Sequence, residues 1–414
     1  MKKYGELTGN SSYISRMNRV NTINLIRNND GISRAEIVKI SGLSAPTVTR
    51  IVEKLITDGL VSEIGTGESS GGRKPRRLHF SGGNNHVIGI DLGTTNIHGV
   101  LSDLEANIVA EKQRPTPVEK DFSSVMEQTA GVISDLKKQL KDKNKRILGI
   151  GMAVAGLINR QRNVVGFSPN FHWHDVDVVQ ELKKWHDIPV IFDNVTRVMA
   201  MGEMSYGVGR TRRNFICVNV GYGIGAGIII DGKPLYGPTG MAGEFGHVTL
   251  DKTSRIKCDC GNYGCLEALA SGSGIAKIAR KALEDGVSSS LIDMCNGDVA
   301  TVTARQVANA AKAGDSLAWS ILKQSLEYLG IGIAGLINLF TPEAVVIGGG
   351  VAEAGDILFD NVREVVRKRA LPQAAGETNI YPATFGLKAA MMGSVSLILQ
   401  EILSLDPALK TNNT

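Results

Sequence analysis

Apolar residues near the N-terminus recur at helical spacing. Met17, Val20, Ile23 and Ile26 form one stripe that fades at Asn28-Asn29-Asp30-Gly31, predicting a first amphipathic helix. Ser33 and Glu36 have capping-box spacing, so a second, short helix opens there and stops at Ser41-Gly42, where glycine takes the left-handed exit. Ser44 caps a third helix whose Val48, Ile51, Val52, Leu55 and Ile56 share one face, and Gly59 ends it. Leu60-Val61-Ser62-Glu63-Ile64 and Arg77-Leu78-His79-Phe80 then read as two strands around a glycine-rich loop, Gly65 to Pro75. Two short helices about a glycine turn, followed by a hairpin, predict a winged helix-turn-helix over residues 1–80.

From His86 the pattern changes to alternating strands and helices. Val87-Ile88-Gly89-Ile90 reads as a buried strand, and Asp91-Leu92-Gly93-Thr94-Thr95-Asn96 turns the chain into a second strand ending at Asp103. Gly93 permits close approach of a phosphate, and Asp91 is placed to hold a metal-bound water. Gly221-Tyr222-Gly223 and Gly348-Gly349-Gly350 follow apolar strands in the same way. Leu322 to Phe340 and Ala389 to Leu403 read as long apolar helices. No run of eighteen apolar residues occurs, so a membrane span is not expected.

Charge sharpens this division. Residues 1–80 hold 13 Lys and Arg against 7 Asp and Glu, whereas the rest holds 33 against 34, so the positive excess sits on the head alone. That asymmetry suits a module that attracts a polyanion. Ser44, Ala45, Thr47, Thr49 and Arg50 lie on or cap the third helix, where small and hydroxyl side chains let bases approach and Arg50 reaches guanine or phosphate. Arg73, Lys74 and Arg76 place cations on the loop between the strands, as a wing on duplex DNA requires.

The five cysteines do not read as a secreted disulfide framework, and a reducing cytoplasm fits them best, with nucleoid association when DNA is bound. Three of them, Cys258, Cys260 and Cys265, follow His247 as H-x10-C-x-C-x4-C. Three thiolates and one imidazole make a closed tetrahedral set, predicting a structural zinc rather than a hydrolytic one.

Five segments together resemble the ROK family (repressors, open reading frames and sugar kinases), in its branch with an N-terminal winged helix. They are Asp91-Leu92-Gly93-Thr94-Thr95, Ser168-Pro169-Asn170, Gly243-Glu244-Phe245-Gly246-His247, the run Cys258 to Glu267, and Thr341 to Gly349. The resemblance spans about residues 12–400. It implies an α/β body of two actin/hexokinase-like lobes: 85–195, completed by about 386–405, and 196–385, carrying the zinc site and a dimerisation surface. It also implies a sugar or sugar phosphate in the cleft, held by Asn170, Asn194, Glu244, His247 and Glu267.

One departure from the family pattern decides the expected chemistry. Where ROK kinases carry Asn-Asp-Ala-Asn, this chain reads Asp193-Asn194-Val195-Thr196-Arg197, so the general base position is Val195, which accepts no proton. Asp193, read on the same strand end, is set about 6–7 Å too far along to replace it. Tyr222 crowds the position of a γ-phosphate, and ATP is not expected to bind productively. The sequence therefore predicts a non-enzymatic repressor of carbohydrate genes. Operator duplex and a sugar are its expected partners, and a homodimer or dimer of dimers its assembly. The readings set against it are an active or bifunctional sugar kinase and a repressor sequestered by another protein.

Overall fold

The computed structural model describes residues 11–66, 76–81, 85–119, 121–142 and 145–403. At the N-terminus, helices α1 (Ser11–Asn28), α2 (Arg34–Ser41) and α3 (Ala45–Thr57) pack beside a three-stranded sheet of order β1-β3-β2. Its strands are β1 (Ile32–Ser33), β2 (Val61–Thr66) and β3 (Arg76–Phe80). Both halves of the Ser33 capping box form: the Glu36 amide donates to Ser33 Oγ (3.3 Å), and the Ser33 amide donates to the Glu36 carboxylate (2.8 Å). Gly42 exits α2 at φ 69°, and Val48, Val52 and Leu55 bury the inner face of α3. This is a winged helix-turn-helix.

The following sheet has the order β11-β7-β4-β5-β6. Strands β4 (Asn85–Leu92), β5 (Asn96–Asp103) and β6 (Ile108–Pro115) are antiparallel, whereas β7 (Arg146–Val154) and β11 (Val190–Asn194) add on in parallel. Helices α4 (Phe122–Lys137) and α5 (Val178–Leu182) contribute Val132, Ile133 and Leu182 to the same core as Ile88, Ile90 and Leu92. Beyond β7 the chain forms a small antiparallel sheet, β8 (Leu157–Asn159), β9 (Val164–Ser168) and β10 (Trp173–Val176), for which the sequence carried no clear signal.

Helix α6 (Val195–Tyr206) leaves β11 without a loop. The second sheet has the order β14-β13-β12-β15-β16, from β12 (Phe215–Val220), β13 (Ile224–Ile230), β14 (Lys233–Pro234), β15 (Ala344–Gly348) and β16 (Asn379–Pro382). Its helices are α7 (Leu266–Ala270), α8 (Gly272–Glu284), α9 (Leu291–Met294), α10 (Ala304–Lys312), α11 (Ser316–Phe340), α12 (Asp356–Arg369) and α13 (Pro372–Glu377). They bury the largest apolar cluster of the described residues against β12, β13 and β15. Helix α11 begins six residues before the expected Leu322 because Asp315 caps it, accepting from the Ala318 amide at 2.8 Å.

The last helix, α14 (Ala389–Leu403), returns to lie on β4 and β7 of the first sheet and along α6. Helix α6 itself also touches β12 and β13, so it stands between the two sheets rather than within one lobe. The expected division at 195/196 therefore falls at the start of a shared helix. No helix among the described residues is long and apolar enough to cross a membrane.

Candidate functional site

On the head, Ser44 caps α3 by accepting from the Thr47 amide (3.4 Å), and its hydroxyl also meets the Thr47 hydroxyl at 2.8 Å. Ser44, Ala45 and Arg50 are exposed, and Thr47 and Thr49 are half-buried along the same helix. None of the ion pairs among the described residues takes Arg50. Arg76 differs from expectation: it opens β3 and its guanidinium lies on the Glu63 carboxylate, which Arg34 also holds at 2.7 Å. The two cations depress the Glu63 pKa, so this carboxylate stays charged and shapes the base of the wing. Arg73 and Lys74 lie outside the described residues.

Before α7, His247, Cys258, Cys260 and Cys265 bring one donor atom each to within 4.8 Å of one another. The Cys260 and Cys265 sulfurs are 3.8 Å apart, and Cys258 Sγ is 3.7 Å from His247 Nδ1. Zinc–sulfur bonds of about 2.3 Å in a tetrahedron place sulfurs about 3.8 Å apart, so the donor set fits the ion. The loop is built for this. Cys258 N donates to Asn262 O (2.8 Å), Gly261 N donates to Cys258 O (2.9 Å), and isolated bridges pair Thr249 with Cys265 and Lys257 with Tyr263. Burial pushes the Cys258 thiol up to about 12, so a cation must displace its proton.

The same loop leads into the cleft. Glu267, at the start of α7, accepts from the Ile224 amide at 2.9 Å and lies 4.0 Å from Cys258 Sγ. Glu244 faces His247 Nε2 at 4.0 Å, and burial raises its pKa despite the pull of His247 and Arg197. Gly243, at φ 99°, is required there because a Cβ would strike the Ala226 carbonyl. The structure thus brings Glu244, His247 and Glu267 together. Asn170 lies in the turn between β9 and β10 and has a bonded partner.

Asn194 is placed differently from the expectation of a free sugar ligand. Its amide oxygen caps α6 through the Thr196 N–H (2.9 Å), and its amide nitrogen donates to the Gly156 carbonyl (3.0 Å). One N–H and one lone pair remain for a ligand. The geometry around Val195 also corrects the strand-end reading, since Val195 is the first residue of a helix and does not continue β11. Asp193 is not simply too distant to act as base. It is buried and paired with Arg197, which donates from Nε (3.0 Å) and Nη2 (2.7 Å) to Asp193 Oδ1.

Several residues here were not singled out from the sequence. Arg197 Nη1 also reaches the Ala242 carbonyl (3.2 Å), which ties α6 to the loop bearing Glu244. The Arg160 guanidinium stacks 3.7 Å over the Tyr236 ring, with Arg197 5.3 Å from the same ring. The Asp193-to-Arg197 spacing of four was a legible signal for the first pair; nothing local announced the second. Near the end of β4, burial raises Asp91 to about 7.

The ROK family model matches residues 87–401, and a winged helix-turn-helix DNA-binding model matches residues 18–62. A xylose repressor of Caldicellulosiruptor bescii is 32% identical over 396 residues, covering 96% of this chain and 98% of that protein. A glucokinase of Halalkalibacterium halodurans is 34% identical over 328 residues, covering 78% of this chain and 98% of its own. Among solved structures, a ROK family transcriptional regulator described as a homologue of the E. coli MLC protein superposes with a TM-score of 0.80. It is 28% identical over 94% of this chain and 97% of that one. The glucokinase match thus covers 78% of the chain, whereas the two regulators cover 96% and 94% of it.

Proposed function

The chain belongs to the ROK family, and on that premise we propose that it is a DNA-binding repressor of sugar-metabolism genes whose kinase-like cleft senses a sugar without phosphorylating it. The observation that carries this reading is Val195 at the start of α6, beside an Asp193 already spent on Arg197. Phosphoryl transfer to a sugar hydroxyl needs a group that takes the hydroxyl proton, and neither residue is placed to do so. Coverage of 96% of the chain by a xylose repressor makes D-xylose the first effector to test.

Operator contacts come from Ser44, Ala45, Thr47, Thr49 and Arg50 on α3, with Arg73, Lys74 and Arg76 of the wing on phosphate. Sugar hydroxyls meet Glu244, His247 and Glu267, aided by Asn170 and the remaining valences of Asn194. His247, Cys258, Cys260 and Cys265 hold a structural zinc that fixes the loop presenting Glu244 and Glu267. The protein acts in the cytoplasm as a symmetric dimer, because one recognition helix reads too short a site alone. Sugar binding lowers operator affinity to the extent that the closed cleft and the DNA-bound head prefer different states. Two assays test this together: promoter-fragment binding with and without D-xylose, and coupled ATP consumption over a sugar panel. Sugar-sensitive binding with no turnover is the expected result, whereas turnover on any sugar restores the kinase reading.

A further inference from the structure

The described residues of the head pack directly on the body. Ile23, Ile26, Leu60, Val61 and Phe80 of the head share one apolar cluster with Val87 and Val100 of the first sheet and with Met391, Val395, Ile398 and Leu399 of α14. Asn85 Nδ2 donates to the Gly59 carbonyl at 2.8 Å, closing the seam at the base of α3. Tyr206 packs against this cluster, and the guanidinium of Arg27 in α1 lies 6.0 Å from the Phe80 ring centre.

Tyr206 is the last residue of α6, the helix whose first turn carries Val195 and Arg197 into the cleft. Twelve helical residues span about 18 Å, so one rigid element runs from the ligand loop to the DNA head. Helix α6 is also welded along its length to α14. Gly202 crosses Gly393 so closely that a Cβ would lie 2.9 Å from the Gly393 Cα. Ser205 and Ser396 hydroxyls meet at 2.7 Å, Ser396 donates to the Met201 carbonyl (3.0 Å), and Gln400 donates to Ser205 (3.2 Å). At the cleft end, Arg197 holds the Ala242 carbonyl of the second lobe. Movement of the Glu244 loop therefore pulls on the first turn of α6, and a packed helix pair of this kind shifts as a unit rather than deforming smoothly.

We propose that the α6–α14 pair is the transmission element of the protein, with Arg197–Ala242 as its input and the packing of Tyr206, Val395 and Ile398 against the DNA head as its output. This rests on the regulator reading for its purpose, but the mechanical claim concerns the chain itself. Arg197 and Tyr206 act as positioning residues, and neither has to touch a ligand or DNA.

Hydrogen exchange on the full-length, zinc-loaded chain tests the coupling as a double-mutant cycle over wild type, Arg197→Lys, Tyr206→Ala and the double variant. Lysine keeps the charge beside Asp193 but cannot hold both it and Ala242, and alanine removes the ring that packs against the head. With Tyr206 present, Arg197→Lys should speed exchange at 20–27 and 55–61 roughly threefold or more as well as at 235–244. With Tyr206→Ala, the same change should still loosen 235–244 and leave the head within about 1.5-fold of the Tyr206→Ala protein. A head that responds equally in both backgrounds, or not at all while 235–244 loosens, overturns the proposal. Should Arg197→Lys fail to fold, Tyr236→Ala loosens the same loop from the second lobe and completes the cycle. Promoter-fragment binding by wild type separates the two readings: its absence defeats the regulator assignment while the exchange cycle still decides the coupling.

Discussion

Arg197 and Asp193 form a buried ion pair across the junction of β11 and α6, with side chains 2% and 5% exposed and the guanidinium Nη2 2.7 Å from the carboxylate. A pair so dry is costly to assemble and more costly to break, because the surviving charge has no water to turn to. Arg197→Met should therefore lower unfolding free energy by about 3–5 kcal/mol, with Asp193→Leu/Arg197→Met recovering most of it. Urea titrations of the three proteins measure this, and a loss of under about 1 kcal/mol for the single variant contradicts the pair's role.

Asp91 supplies a pH prediction with a defined sign. Burial raises its pKa from 3.8 to about 7, so the folded state prefers the protonated carboxyl. Its contribution is fully present below the unfolded value of 3.8 and is lost as the pH rises through about 7. Asp91→Asn should thus match wild type at pH 3.8 and exceed it by about 2 kcal/mol above pH 8, a figure reduced for the partial solvent access of the cleft mouth. Parallel stability curves across this range check it; a constant offset at all pH values contradicts it.

Zinc content offers an independent test. With Cys258 at about 12, each thiol proton competes with the metal, so apparent zinc affinity should fall steeply as pH drops. A chelator at pH 6 should strip the ion faster than at pH 8, lower the melting temperature, and weaken sugar binding through Glu244 and Glu267. Cys265→Ser should behave as the stripped protein at both values.

Arg50→Ala should cost operator affinity about 1–3 kcal/mol and, if the side chain reads guanine, relax preference at one base position. Ser44→Ala should weaken operator binding too and, by removing the α3 cap, also lower the stability of the head by about 1 kcal/mol. Anisotropy titrations measure the binding losses, and urea titrations show the stability loss for Ser44→Ala and not for Arg50→Ala.

Much of this was legible where the signal was local. The Ser33–Glu36 box, the Gly42 exit, the α3 stripe and the Cys/His spacing each lie within one turn or loop, and short-range chemistry decides them. Val195, apolar where the family pattern carries an acid, was equally readable. Its surroundings were not, because Asn194 doubles as a helix cap and Asp193 is neutralised by a residue one turn ahead. The Asp315 cap of α11 was a local signal that the apolar pattern after Leu322 masked. The seam between head and body was out of reach, since Tyr206 meets the head from a distant part of the chain and α14 returns only at its end.

The central claim is a head that holds DNA under the command of a cleft that performs no chemistry. Its most direct measurement is the affinity of the zinc-loaded protein for its own promoter fragment, without ATP, as D-xylose, D-glucose and N-acetyl-D-glucosamine are each added to saturation. The account predicts tight, salt-sensitive binding that one sugar weakens about tenfold or more, a coupling of about 1.4 kcal/mol. Failure to bind the fragment even at low ionic strength contradicts it.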